Sequence, residues 1–223
     1  MKILALEFSS PQRSAAVIEG RTGVPPVLLG CARASDDHQR RGLALVDAAL
    51  REARVEREEI ACLAVGLGAG SYTGIRSAIA IAQGWQLARS VRLLGVCTVE
   101  CLAAQAQADG ILGRVNIVID AQRQEFYSAR YEIAATERRE VERLHLAAFE
   151  EVERHSRAGE ILIGPEVTQW FPAGRVLFPD AATLGWLASA RTDFVQGENL
   201  EPIYLRQTSF VKAPPPRVLP QGL

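Results

Sequence analysis

Residue types that build disulfide frameworks and metal centres are scarce in this chain of 223 residues. It contains four cysteines, three histidines and one methionine, and 6% of its residues are aromatic. Cys31, Cys62, Cys97 and Cys101 show no C-x-x-C spacing. We therefore expect them to be small buried hydrophobic side chains rather than a metal site.

Long apolar runs and an excess of one charge are also lacking. No segment approaches the roughly 20 apolar residues that a membrane helix needs. The opening MKILALEFSS is interrupted by Glu7, so it lacks the apolar region of a signal peptide. Lysine and arginine number 25 against 26 acidic residues, which gives a net charge of -1 and no global attraction for nucleic acid. We expect a cytoplasmic protein that touches neither a membrane nor, without a partner or a local patch, tRNA.

Apolar patterns predict alternating strands and helices in each half of the chain. In the first half, strands are predicted at 2–8, 13–19, 27–33, 60–66 and 93–96, and helices at 38–54, 74–89 and 98–108. In the second half, strands are predicted at 115–121, 125–133, 160–164 and 175–178, and a helix at 181–190. Glycines near 109–114 indicate two units, 1–110 and 111–210, followed by a proline-rich tail over 211–223. The alternating charges of 136–143 predict a solvated strand or loop edge.

The segment AVGLGAGSYTGIRSA, residues 64–78, joins a predicted strand to a predicted helix through a glycine-rich loop. Backbone N–H groups in such a loop, together with the helix N-terminus, are able to bind a phosphate. The loop has neither the lysine of the Walker pattern nor the register of G-x-G-x-x-G. Turn geometry and close packing of helix against strand explain the glycines equally well.

The run GAGSYTGIR, residues 68–76, is the most distinctive motif of the chain. It resembles the GPGSFTGLR signature of the TsaB (YeaZ) family, which takes part in threonylcarbamoyladenosine modification of bacterial tRNA. ILALEFSS at 3–10, IDAQRQEFYSARY at 119–131 and EPIYLR at 201–206 resemble the opening strand, the second hairpin and the C-terminal motif of that family. These segments follow one another in the family's order along most of the chain.

The resemblance implies an α/β fold of the actin-like and sugar-kinase-like ATPase class (ASKHA), made of two related lobes. It also implies a partner subunit that is not catalytic by itself and pairs with a catalytic TsaD-like subunit. A TsaE-like ATPase would join the complex, and tRNA would be contacted only through it. We expect a homodimer when the chain is alone, and at most weak binding of ATP or ADP through the complex.

The chain departs from the family pattern at four positions. Glu7 stands where the superfamily has an aspartate that orients a metal-bound nucleotide, and the longer side chain moves the carboxylate. Ala69, Tyr72 and Gln83 replace a usual proline, phenylalanine and lysine. Arg76 lies near the helix N-terminus, where it could reach an anion in the loop or a carboxylate on a neighbouring chain. The residues considered for phosphate binding are Ser9, Ser10, Gly68, Gly70, Ser71, Thr73, Gly74 and Arg76.

Other catalytic arrangements find little support. His38, His145 and His155 include no closely spaced pair able to hold a metal from one helix, and we interpret them as capping or surface residues. Ser71 lacks the G-x-S-x-G context of a hydrolase nucleophile. A turn with Asp120 is more often polar and exposed than catalytic. Two alternatives remain open, an autonomous nucleotide-dependent enzyme of the same superfamily and a glycoprotease-like peptidase.

The helix that follows the loop is apolar around most of its circumference. One face is formed by Ile75, Ala78, Ile79, Ala82 and Trp85, and Ala80, Ile81, Leu87 and Ala88 lie on the other side. If the core covers one face, the other face and the neighbouring 38–54 helix leave an exposed apolar patch in a monomer. We predict that this patch binds the partner subunit or a second copy of the chain. Its candidate residues are Leu43, Leu45, Val46, Leu50, Ala80, Ile81 and Leu87.

Overall fold

The computed structural model describes residues 1–21, 23–34 and 42–205, which form two five-stranded sheets with helices packed against them. The strands of the first sheet are β1 (Lys2–Glu7), β2 (Arg13–Arg21), β3 (Val24–Ala34), β4 (Ile60–Gly66) and β5 (Arg92–Val96). The strands of the second are β6 (Gly113–Asp120), β7 (Glu125–Ile133), β8 (Arg138–Ala148), β9 (Ile161–Gly164) and β10 (Arg175–Val176). The helices are α1 (Gly42–Ala53), α2 (Tyr72–Arg89), α3 (Thr98–Ala108), α4 (Phe149–Arg157), α5 (Val167–Trp170) and α6 (Ala181–Ser189). None of the helices in these described ranges has the length and apolar character to cross a membrane.

The two sheets repeat one topology. The first has the order β3-β2-β1-β4-β5, and the second has the order β8-β7-β6-β9-β10. In each sheet the first three strands form an antiparallel meander, and the fourth strand pairs in parallel with the first. The predicted α/β fold of two related lobes is confirmed.

Two helices pack against the sheet that is formed by the other half of the chain. Helix α3 follows β5, yet Val99 and Leu102 pack with Ile117 of the second sheet. Helix α6 comes from the second half, and its Leu184 joins the core around Ile3 in the first sheet. The predicted boundary near residue 110 separates the two sheets, but each sheet is covered by a helix from the other half. The predicted tail, 211–223, lies outside the described residues, as does His38.

The charged run at 136–143 lies partly in β8, an edge strand whose solvent side tolerates alternating charges. Helix α4 was not predicted, because Val152 is the one side chain of FEEVERHSR that is buried, so the apolar period is weak. All four cysteines are free, as expected, but Cys31 and Cys97 are only half-buried.

Helix α2 has one buried face and one exposed face, as its sequence predicts. Ile75, Ala78, Ile79 and Ala82 are buried in the core of the first sheet. On the opposite face, Leu87 is 90% exposed. The other side of this helix is therefore available for a further contact.

Helix α1 requires a correction. Leu45, Val46 and Leu50, predicted as part of an exposed patch, are buried in the core of the first sheet. At 100° per residue they and Ala49 form one continuous arc that faces the sheet. Leu43 lies at the edge of this arc in the first turn and is 63% exposed. Of the four candidates on α1, Leu43 alone contributes an exposed side chain.

Two glycines of α2 provide a test of how the helix is seated. A Cβ at Gly74 would lie 1.9 Å from the Phe8 carbonyl oxygen, whereas a Cβ at Gly84 would meet nothing within 4 Å. We expect Gly74→Ala to lower the free energy of unfolding by about 1–3 kcal/mol. Gly84→Ala is the matched control and should raise it by up to about 1 kcal/mol through helix propensity. Equal denaturant midpoints for the two variants would show that α2 does not rest on Phe8.

Candidate functional site

An open cleft of about 570 Å³ lies between the end of β1, the glycine-rich loop and the turn after β6. The first half of the chain contributes Ser9, Ser10, Gly70, Ser71 and Thr73, which were all predicted as loop or phosphate residues. The second half contributes residues that include Asp120, Gln122 and Glu166. The remaining predicted residues, Gly68, Gly74 and Arg76, do not line it.

Glu7 is buried beneath the glycine-rich loop and does not line the cleft. The Ser9 N–H donates to its Oε1 at 2.8 Å, and the Thr98 hydroxyl lies 3.2 Å from its Oε2. A Cβ at Gly66 would lie 2.2 Å from the same Oε2, so the glycine at the end of β4 makes room for the carboxyl group. Burial raises the pKa of Glu7 above its ordinary value, while the hydrogen bonds from Ser9 and Thr98 act in the opposite direction.

Several backbone N–H groups of the loop already donate hydrogen bonds to acceptors within the protein. The Gly68 N–H donates to the Thr98 hydroxyl at 3.2 Å, and the Ser71 N–H donates to the Ser9 carbonyl at 2.6 Å. The Gly74 N–H donates to the Ser71 hydroxyl at 3.3 Å and so caps α2. Three donors that a phosphate would need are thus used within the protein.

The loop also packs directly on the carbonyl oxygens that follow β1. A Cβ at Gly70 would lie 2.2 Å from the Ser9 oxygen, which excludes a side chain at this position. The φ angle of Gly70 is +142°, a backbone conformation that residues with a Cβ atom rarely adopt. Gly74 makes a similar contact with the Phe8 carbonyl oxygen. Close packing against the backbone is therefore the physical reason for glycine at positions 70 and 74.

The cleft carries charged groups of both signs. Asp120 and Glu166 both line it, and burial together with the negative charge of Asp120 raises the pKa of Glu166. Arg13 also lines the cleft, with its guanidinium 5.8 Å from the centre of the Phe8 ring. These two carboxyl groups would repel a polyphosphate that carries no metal ion, and Glu7 does not line the cleft.

The turn after β6 has unusual backbone geometry. Gln122, Arg123 and Gln124 have positive φ angles near +60°, a region that side chains other than glycine rarely adopt. The Asp120 side chain accepts from the Gln122 N–H at 2.7 Å and so holds the turn. All three turn residues are exposed, in agreement with the expected polar turn, while Asp120 faces the cleft.

Arg76 and Gln83 of α2 take part in contacts with the C-terminal segment around Gly197 and Tyr204. Arg76 donates to the Tyr72 hydroxyl at 2.8 Å, and the Tyr72 ring packs against Tyr204 at 5.4 Å between centres. Gln83 donates to the Gly197 carbonyl at 2.8 Å. Both residues hold the C-terminal segment against α2, Gln83 directly and Arg76 through Tyr72.

A second concave surface lies between α1 and α2, with a volume of about 940 Å³. Its apolar lining includes Leu43, Ala80, Ile81, Trp85 and Ala88. Ion pairs stand at its rim, one between Arg57 and Asp47 at 2.5 Å and one between Arg89 and Glu58 at 2.8 Å. An apolar floor with a charged rim is the usual anatomy of a protein interface.

Among the residues that the structure describes, a cluster of possible metal ligands was not predicted from the sequence. Glu142, His145 and Glu151 bring one carboxylate or imidazole donor atom each within 4.8 Å of the others. The prediction treated His145 as an isolated surface residue, because its neighbours in space lie three and six positions away on two different elements. A pattern search along one helix does not find such a group.

Comparisons with known proteins agree with the topology. A family model described as "TsaD: tRNA N6-adenosine threonylcarbamoyltransferase" matches residues 12–196. The structure resembles YeaZ from Pseudomonas aeruginosa with a TM-score of 0.73 and 28% identity, over 92% of this chain and 99% of that one. The chain is also 34% identical to the tRNA threonylcarbamoyladenosine biosynthesis protein TsaB of Escherichia coli. The chain belongs to the TsaB (YeaZ) family.

Within the TsaB (YeaZ) family, the alignment with the Escherichia coli protein covers 132 residues, 59% of this chain and 55% of that protein. An uncharacterized protein of Mycobacterium tuberculosis is 30% identical over 132 residues, 58% of each chain. The chain thus matches little more than half the length of these curated relatives. A second YeaZ-like structure from Pseudomonas aeruginosa has a TM-score of 0.75 at 27% identity, over 92% of this chain and 99% of that one.

The buried carboxyl group of Glu7 gives a pH-dependent prediction. Because its folded pKa is raised above the ordinary 4.5, its contribution to stability is complete below about pH 4.5 and is lost as the pH rises through the folded pKa. Glu7→Gln has no proton to lose. We expect wild type to lose free energy of unfolding relative to Glu7→Gln as the pH rises from about 4.5, measured by urea unfolding at a series of pH values.

The exposed Glu137 is the control, and Glu137→Gln should follow wild type across the series. Parallel stability curves for wild type and Glu7→Gln would mean that the carboxyl group is not desolvated under the loop.

Proposed function

We propose that this chain is a non-catalytic partner subunit in the formation of threonylcarbamoyladenosine in tRNA, and that it pairs with a catalytic TsaD-like subunit. A role in this process is supported by the descriptions of the matching family model and of the Escherichia coli relative. The exposed apolar groove between α1 and α2 is the observation that carries the partner role. Pairing would cover side chains that water now reaches.

The shape of the groove favours a helical partner. Ser77, Ala80, Gly84 and Ala88 share one side of α2 and line the groove, so another helix can approach the α2 backbone closely. Leu43 stands at its edge on α1. We infer that helices of the TsaD-like subunit pack here, with Leu87 extending the contact along α2.

The cleft between the lobes supports the non-catalytic part of the proposal. Glu7 is turned under the loop, and the loop N–H groups at Gly68, Ser71 and Gly74 are bonded within the protein. This arrangement disfavours an autonomous nucleotide-dependent enzyme. Any ATP or ADP would then bind weakly and through the assembled complex.

The remaining partners follow from this assignment. We propose that a TsaE-like ATPase joins the complex, that tRNA is contacted only through it, and that the chain acts in the cytoplasm. In the absence of the TsaD-like subunit, a second copy of the chain would occupy the same groove. Homodimer and heterodimer would then be mutually exclusive.

Charge substitutions at the groove test the proposal. The double variant Leu43→Asp with Leu87→Asp alters two exposed leucines, so we expect it to remain folded. Sedimentation with the TsaD-like protein of the same organism should show at least about tenfold weaker association, a loss of about 1.4 kcal/mol. The homodimer should dissociate to the same extent.

The matched control carries two aspartates at exposed apolar sites elsewhere, Leu112→Asp with Val141→Asp, and should associate like wild type. Purified chain alone should transfer no threonylcarbamoyl group to tRNA. Undiminished association of the groove variant, or transfer by the chain alone, would overturn the proposed role.

A further inference from the structure

We propose that Glu142, His145 and Glu151 form a binding site for a divalent transition-metal ion of the zinc type. The three residues lie on the β8–α4 segment of the second lobe, and none of them lines the cleft or the α1–α2 groove. The site is therefore separate from both surfaces on which the proposed partner role depends.

An irregularity in β8 aligns two of the ligands. His145 pairs with Ser128 and Glu142 pairs with Arg130, so two residues of β8 stand opposite Ala129 alone. In a regular strand, residues three apart point to opposite faces of the sheet. The extra residue of the bulge brings Glu142 and His145 to the same side.

The third ligand comes from the helix that directly follows the strand. Helix α4 begins at Phe149, and Glu151 lies in its first turn. The His145 Nε2 atom is 2.8 Å from the Glu151 Oε1 atom and 3.9 Å from the Glu142 Oε1 atom. Zinc bonds of 2.0–2.2 Å in a tetrahedron place ligand atoms about 3.4 Å apart. The observed separations bracket that spacing, so small side-chain rotations would complete the site.

The hydrogen bonds around the cluster prepare the ligands. The Nδ1 atom of His145 is 2.9 Å from the Arg143 carbonyl oxygen, which can only accept, so Nδ1 carries the proton. The Nε2 atom, 2.8 Å from the Glu151 carboxylate oxygen, carries a proton as well, and a metal ion would take the place of that proton between the two carboxylates. The other oxygen of Glu142, Oε2, lies 2.6 Å from the Arg130 Nε atom, which holds that carboxylate in place. Histidine and carboxylate ligands of metals are commonly oriented by such outer contacts.

The donor set selects the class of metal. One imidazole nitrogen and two carboxylate oxygens suit zinc and its neighbours in the first transition row, whereas calcium takes six to eight oxygens. Each of the three side chains is about one third exposed, so water can take the remaining coordination position. A bound ion would join β8 to the first turn of α4.

Zinc titration of the untagged full chain at pH 8, followed by calorimetry, tests the site. We expect one zinc ion per chain, and at least about tenfold weaker binding for His145→Ala and for Glu151→Gln. His155→Ala is the matched control, because His155 also faces a carboxylate, with its Nδ1 atom 3.4 Å from Glu160. It should bind zinc like wild type. Circular dichroism would verify that each variant is folded.

Two further readouts separate this site from the cysteines and from loose surface binding. Cobalt(II) should bind without the thiolate charge-transfer absorption that a cysteine ligand produces. Zinc should raise the thermal midpoint of wild type and of His155→Ala but not of His145→Ala. The proposal is wrong if wild type binds no zinc, if His145→Ala binds it equally well, or if the cobalt spectrum shows a thiolate.

Discussion

A buried carboxyl group organises the centre of the molecule. Glu7 ends the first strand, accepts from the Ser9 N–H and meets the Thr98 hydroxyl at the start of α3. Thr98 in turn accepts from Gly68 of the loop, and Gly66 leaves space for the carboxyl group. One side chain thereby joins the end of β1, the end of β4, the glycine-rich loop and the helix that leads to the second lobe.

This connection gives the glycine-rich loop a structural purpose. Its glycines allow the loop and α2 to rest on the carbonyl oxygens of Phe8 and Ser9, and its N–H groups find acceptors within the protein. Because α2 is fixed from its first turn, its inner face fills the core and its outer face stays in water. The apolar groove shared with α1 is a consequence of that placement.

Local pattern was enough to predict the architecture but not its cross-connections. The alternating strands and helices of each half, the loop before α2 and the two faces of α2 follow from short-range periodicity. The exchange of α3 and α6 between sheets does not, because helices with apolar residues on several sides fit either sheet. Of the two leucines predicted in the exposed patch, Leu43 is exposed and Leu45 is buried, because periodicity gives an arc and the sheet decides where its edge lies.

Site chemistry was harder to predict than the fold. Whether Glu7 points into the cleft or under the loop depends on Gly66 and Thr98, which are distant from it in the chain. The cluster around His145 depends on a bulge in β8, and no residue type marks that bulge in the sequence. Hydrogen-bond partners and bulges are properties of the packed chain, so a linear motif describes them incompletely.

We expect the glycine-rich loop to pack the two halves of the protein together and not to bind a nucleotide phosphate. Titration of the isolated chain with magnesium ATP, followed through the backbone amide resonances of Gly70 and Ser71, measures this directly. We expect no saturable shift of either resonance up to about 1 mM nucleotide, the concentration that corresponds to about 4 kcal/mol of binding free energy. Saturation at micromolar nucleotide, with both amides shifting together, would contradict it.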